Sequence, residues 1–335
     1  MDGDQENMQS LGLLGIYKES CKLIFSYWKI FTKITLPLIL PLSFIYLAHL
    51  KVYDLLNKKI WLSLEVLDCT EVSTSHNHKP SDLVSSEWTY FILLDTIFLT
   101  FVYILSLLSS VTVVCTIACI YTARDVTFMK AMNVIPMVWK RLMITSLYLF
   151  GTIVAYSTVA GLVVLVIVSI ASFLGATSVI CLLIILVSLI LYLVGLIYLS
   201  TIWNLANVVS ILEESYGAQA MVKSRTLMRG KILITMVIYF TFTLLCSFIQ
   251  LAFQTLVLHG HWRSVSKVLH AILCLLLFST LNLFSLVIQT VIYFVCKSYY
   301  REDIDKALSN HLKAYLSGKH VPLKSKDVQL EESLV

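Results

Sequence analysis

Long apolar runs separated by short charged clusters dominate the chain. From Leu142 to Trp203 there is no Asp, Glu, Lys, Arg or His. That stretch far exceeds the roughly 20 apolar residues a helix needs to cross about 30 Å of bilayer hydrocarbon. It therefore predicts two helices, turning near Phe173, Gly175 and Thr177. Four further runs, Ile34 to Leu50, Thr96 to Ile120, Ile232 to Leu258 and Val268 to Val295, each predict one more. Pro37 and Pro41 should kink the first or delay its regular start. The expected fold is all-α: a polytopic integral membrane protein with six transmembrane helices, each satisfying its own backbone hydrogen bonds as lipid demands.

Composition supports this class, because 58% hydrophobic and 13% charged residues lie far from the roughly 45–50% and 25% of soluble domains. Charge placement adds orientation. Nineteen of the 25 basic residues fall in the termini and alternate loops, and basic residues resist translocation, so both termini are expected in the cytosol. The reading divides the chain into a cytosolic N-terminus (1–33), a six-helix membrane domain (34–295) and a cytosolic tail (296–335). Within the membrane domain it places a lumenal loop at 51–88 and cytosolic loops at 121–141 and 205–231. Trp28, Trp88, Trp139, Trp203 and Trp262 then fall at span ends, the headgroup level that indole prefers, and Trp61 falls in the lumenal loop. The net charge of +5 flanks spans and forms no separate basic domain, so no nucleic-acid partner is expected. Asp2, Asp4 and Glu6 at the start argue against a cleaved signal or transit peptide, leaving the first span as an uncleaved anchor in the endomembrane system or plasma membrane.

Each odd-numbered span follows an amphipathic segment, giving three hairpins each preceded by a cytosolic interfacial helix. Lys18, Lys22, Lys29 and Lys33 gather within roughly 60° of one face of an ideal helix. Leu13, Ile16, Tyr17, Ile24, Tyr27, Trp28 and Phe31 take the other side. Such a segment suits anionic lipids of the cytosolic leaflet, and packing against the bundle's own loops is the alternative. The second segment carries Phe128, Ala131, Met132 and Ile135, with Pro136 expected in the first turn of the next helix. The third, Ala218 to Lys231, is less cleanly two-faced. Short matches among these segments suggest a threefold repeat of interfacial helix and hairpin.

The segment Leu13-Leu14-Gly15-Ile16-Tyr17-Lys18-Glu19-Ser20, with Lys33-Ile34-Thr35-Leu36-Pro37-Leu38-Ile39-Leu40-Pro41-Leu42-Ser43-Phe44, resembles the opening of a plant family of multi-pass transmembrane proteins of unknown function. Ala118-Cys119-Ile120-Tyr121-Thr122 and the surroundings of Tyr216-Gly217 fit it as well. The resemblance spans most of the chain and implies membrane location, helix count and a plant source, but no reaction. In hairpin architecture alone the chain is similar to the membrane domain attached to some bacterial glycerophosphodiester phosphodiesterases, whose catalytic domain has no counterpart here.

Candidate chemistry is sparse. Asp95 is the one acidic residue near a span interior, expected at the lumenal headgroups because no Lys or Arg is near to pair with it. Gln250 and Gln254 share a face of the fifth span, and Asn282 and Gln289 a face of the sixth. These four are the candidate polar lining, with interhelical hydrogen bonding as the alternative. Gly151, Gly161 and Gly195 suggest close helix packing. His76, His78, His259 and His261 fall on one predicted side, near His49, Asp68, Cys69 and Glu71, but their spacing matches no established metal site. Cys21 and Cys296 are candidate palmitoylation sites, and Cys115 and Cys119 read as packing residues. Arg301 and Asp305 could pair in the tail, a candidate protein-partner segment. No phosphate loop, metalloprotease helix, nucleophile elbow or cofactor motif occurs. The leading expectation is a non-enzymatic organising or partner-binding protein. A transporter or channel for a small solute comes second, and a lipid-modifying enzyme third.

Overall fold

The computed structural model describes residues 12–70, 80–121, 128–173, 178–258, 260 and 264–299. These form α1 (Leu13–Ser26), α2 (Trp28–Ile34), a π-helical turn (Thr35–Ile39), α3 (Leu40–Thr70), α4 (Pro80–Tyr121), α5 (Phe128–Phe173), α6 (Ser178–Leu212), α7 (Ala218–Leu227), α8 (Ile232–Phe253) with a π-helical extension (Gln254–Leu258), and α9 (Ser264–Tyr299). No strand occurs among the described residues. Six stretches are long and apolar enough to cross a membrane: Trp28–Leu62, Trp88–Tyr121, Val138–Ala171, Val179–Leu212, Ile232–Leu258 and Val265–Tyr299.

These helices overrun the boundaries read from charge. Residues 51–62 continue α3, where Lys58 meets Asp54 one turn earlier at 2.7 Å. Asn204 through Leu212, mostly placed in a loop, are the last turns of α6. Pro136 lies inside α5, two turns past its start at Phe128, instead of in a first turn. Polar residues mark where a helix leaves lipid, and they do not end it; a helix stops only where its backbone finds other partners. Proline does mark the first span: Pro37 sits in the π-helical turn between α2 and α3, where its missing N–H costs no α-helical hydrogen bond.

Burial is concentrated at one end of the bundle. Ser109–Cys119 of α4, Leu205–Leu212 of α6 and Val287–Ser298 of α9 are buried on every face, the signature of helices enclosed by other helices. The helix α9 is central there, packing against α1, α3, α4, α6, α7 and α8. Thr145 meets Ser210 and Ser157 meets Tyr192, so α5 and α6 run antiparallel. Gln289 meets Asn204 and Lys297 meets Glu213, so α9 runs parallel to α6. The helix α1 seals one side: Ile16, Ser20 and Leu23 are buried, and Tyr17 stacks on Phe242 and Phe284 with ring centroids 6.2 Å away. Lys18, Lys22, Lys29 and Lys33 stay exposed, as do Phe25 and Trp28.

Away from this end the helices present apolar side chains outward, most of all α5 and α6 between Val154 and Val194. In water such a surface would be untenable; in lipid it is the solvated face. Within this arm Tyr156 and Tyr192 stack at 5.6 Å, and a side chain at Gly195 would run into the Tyr156 hydroxyl. Gly151 and Gly161, expected at close contacts, have open space instead.

Candidate functional site

Where α4, α6 and α9 pass from exposed to fully buried, they enclose a polar cavity of about 350 Å³. Ser106 and Ser110 of α4 are one turn apart. Ser200, Asn204 and Asn207 of α6, and Asn282, Ser285 and Gln289 of α9, follow three- and four-residue spacing, so each helix turns one polar stripe inward. Leu42 of α3, Trp203 and Leu286 complete the wall. Ser200 is exposed, whereas Ser110, Asn207 and Gln289 are buried, giving the cavity a mouth and a floor. Among the described residues no ionisable side chain lines it.

The amide groups of the wall are tied to backbone or side chains of their own or a neighbouring helix. The Asn282 amide donates to Ser43 Oγ at 3.2 Å, Gln289 Nε2 donates to the Asn204 carbonyl at 2.7 Å, and Asn204 Nδ2 donates to the Ser200 carbonyl at 2.9 Å. Asn207 differs. Its side chain is 9% exposed and its Oδ1, fully enclosed, accepts no hydrogen bond from the protein. Buried polar atoms are almost always paired, so this enclosed acceptor beside the cavity floor is the point at which a small shift of the Asn207 side chain would bring an unsatisfied group to a donor from outside the protein.

Below the floor lies a buried ion cluster. Tyr293 and Lys297 continue the Gln289 face of α9, one and two turns on. Tyr293 Oη donates to Glu213 Oε1 at 2.6 Å, and Lys297 Nζ donates to the same oxygen at 3.0 Å and to Tyr293 Oη at 3.2 Å. Lys223 of α7 forms an ion pair with the other carboxylate oxygen. Glu213 is 9% exposed and Lys297 3%. Burial alone would push the Glu213 carboxyl up; hydrogen bonds from Lys223 and Tyr293, together with the Lys297 charge and hydrogen bond, outweigh it and hold it below the ordinary carboxylate value.

The family described as Domain of unknown function (DUF8558) matches residues 1–333. The chain belongs to this family. No curated protein and no solved structure matched the chain. Family membership thus supplies no activity, and this member's site is read from its geometry alone.

The four residues expected to line a polar path separate into two groups. Asn282 and Gln289 line the cavity. Gln250 is not among its lining residues, and Gln254 opens the π-helical extension of α8. The α8–α9 seam itself is aromatic, with Phe242 on Phe284 at 5.8 Å. Ser106, Ser110, Ser200, Asn204, Asn207 and Ser285 are not among the expected lining, although their helical spacing is present in the sequence. Trp203, expected at a headgroup, lies nine residues before the end of α6 and lines the cavity. Asp95 has a partner after all: His49 Nε2 lies 2.7 Å from its Oδ1, beside the Phe98 ring. Imidazole supplies what Lys and Arg do not. Cys296 is 1% exposed, out of reach of acylation, while Cys21 is half-buried. His76, His78, His259, His261, Glu71, Arg301, Asp305 and the tail lie outside the described residues. Asp68 and Cys69 fall in the last turn of α3. Among the described residues no three His, Cys, Asp or Glu gather as a metal site.

Proposed function

We propose that this protein binds a small, uncharged, polar solute in the cavity between α4, α6 and α9, as a non-enzymatic carrier or channel of a cellular membrane. The unpaired Asn207 Oδ1 carries this reading: a wall of amides and hydroxyls with an unsatisfied acceptor at its floor suits a ligand that donates hydrogen bonds and bears no charge. The cavity's size corresponds to about ten water volumes. Both termini face the cytosol in this reading, supported by the basic residues around α1, α2 and α7. Three hairpins, α3–α4, α5–α6 and α8–α9, are each preceded by an interfacial segment whose exposed lysines, Lys18, Lys22, Lys29 and Lys33 in the first, meet anionic lipid. A plant source and an endomembrane or plasma-membrane location belong to the same reading, resting on the resemblance of the opening motif and on the uncleaved first span.

Uncharged polyols, amides and sugars of six to twelve heavy atoms, screened with protein in liposomes, test the reading. At least one should bind or cross. Asn207→Leu and Gln289→Leu should each weaken it by about tenfold, the effect of losing a buried hydrogen bond of ~1.4 kcal/mol. Gln254→Leu, away from the cavity, should leave it unchanged. An equal loss in all three variants would refute the assignment. An organising or partner-binding role is the second reading, favoured by the outward apolar arm of α5 and α6.

A further inference from the structure

We infer that the Glu213–Tyr293–Lys297–Lys223 cluster is a gate that closes the cavity toward the end of the bundle bearing α1 and α7, and that solute passage requires this cluster to part. The inference rests on the solute-binding reading of the cavity and assigns its regulation.

The argument begins with placement. Gln289 forms part of the floor, and Tyr293 and Lys297 follow on the same face of α9, about 6 and 12 Å deeper at the helical rise. Glu213 lies six residues past Asn207, in the turn just after α6, and its carboxylate reaches across to the α9 stripe. The α9 stripe that lines the cavity therefore continues past its floor and meets Glu213 in the cluster. Between floor and cluster every residue of α9 is buried, so the polar seam is shut there while the opposite end opens at the exposed Ser200.

The chemistry of the closure is the second step. An apolar plug would seal the seam at no cost of desolvation, whereas a buried ion pair must recover the hydration of both charges and is seldom the more stable choice. What a charged cluster provides is two defined states: closed with the charges paired, or open with each rehydrated through the widened seam. Its members also come from three separate elements. Lys223 stands on α7, joined to α6 by the short turn at Gly217, so movement of α7 alone withdraws one cation from the carboxylate. Lys223 is 35% exposed, positioned to follow water outward.

Side-specific labelling tests this. The reporter is Asn207→Cys at the floor, in sealed vesicles of either orientation, with a membrane-impermeant methanethiosulfonate and the native-cysteine parent as blank. With the cluster intact, the reporter should react only from the face on which Ser200 opens. Two variants loosen the cluster without stranding a buried charge: Tyr293→Phe, which removes one hydroxyl, and Lys223→Gln, which removes the partly exposed cation that α7 brings to the carboxylate. In both, modification from the α1–α7 face should rise by about tenfold or more, as a shift toward the open state demands. An unchanged rate from that face in both folded variants overturns the gate while leaving the cavity intact. A reporter that never reacts from either face overturns the cavity reading itself.

Discussion

Glu213→Gln should lower the stability of the detergent-solubilised protein by about 3–5 kcal/mol, the usual consequence of leaving a buried charge without its partner. The stranded group is Lys297, 3% exposed, which also donates to the Tyr293 hydroxyl. Lys223 contributes little to the loss, because a side chain 35% exposed can turn to solvent. Adding Lys297→Met should restore most of the stability, since the cavity left by the ammonium stem is filled and no buried charge remains. Thermal unfolding of the single and double variants measures both effects, and a double variant as unstable as the single would show that the cluster does not act as a pair. The pH dependence has a definite sign. The folded-state carboxyl lies below its ordinary value, so its contribution is fully present above the ordinary carboxylate range and is lost as pH falls through the folded value. The gap between wild type and Glu213→Gln should therefore close in acid, where the protonated carboxyl is nearly an amide in charge. A gap that widens in acid would reverse the assignment.

This cluster also shows what the sequence made legible and what it hid. The apolar runs are plain because lipid admits no charge, and the turn between α5 and α6 falls where Phe173 and Thr177 suggest it. The helix ends are not plain, since the same reasoning treats every charge as a departure from helical structure. Charge alone puts Glu213 in a loop and Lys297 in the tail; Glu213 does lie in the turn after α6, but Lys297 is in the last turn of α9, and the two, 84 positions apart in sequence, meet at 3.0 Å. Two of the three polar positions of the stripe on α9, Asn282 and Gln289, are readable from the sequence. Its partner on α6 was not, because Ser200, Asn204 and Asn207 straddle the position where Trp203 implied that the span had ended. Polar residues at three- and four-residue spacing were present in each case, but one helix cannot tell which neighbour its stripe will face. The choice among α3, α8 and α6 as partners of α9 is a tertiary decision, made by packing the whole buried end.

Gly217→Val should cost about 1–3 kcal/mol, the strain of a side chain held in a backbone region that essentially only glycine occupies. Gly217 has φ +61° and ψ −132°, and a β-branched side chain there adds crowding, because even a Cβ would come within 3.4 Å of the Tyr148 ring. The turn cannot simply relax. The Gly217 N–H donates to Thr145 Oγ1 at 2.8 Å; Ser210 lies 2.9 Å from the same oxygen, which itself donates to the Arg141 carbonyl at 2.9 Å. With its proton given to Arg141, the Thr145 hydroxyl can only accept from Ser210 and Gly217, so its hydrogen-bonding capacity is full. One hydroxyl on α5 thus fixes both the last turns of α6 and the start of α7. Thr145→Val, nearly the same shape, should leave the Gly217 N–H unpaired and cost about 1–3 kcal/mol by a separate route. The two substitutions share one junction, so the double variant should cost clearly less than their sum, which a double-mutant cycle in thermal unfolding would read directly. Strict additivity would mean that Thr145 and Gly217 act independently, and then α7, with the lysine it brings to Glu213, would have to be held by some other contact.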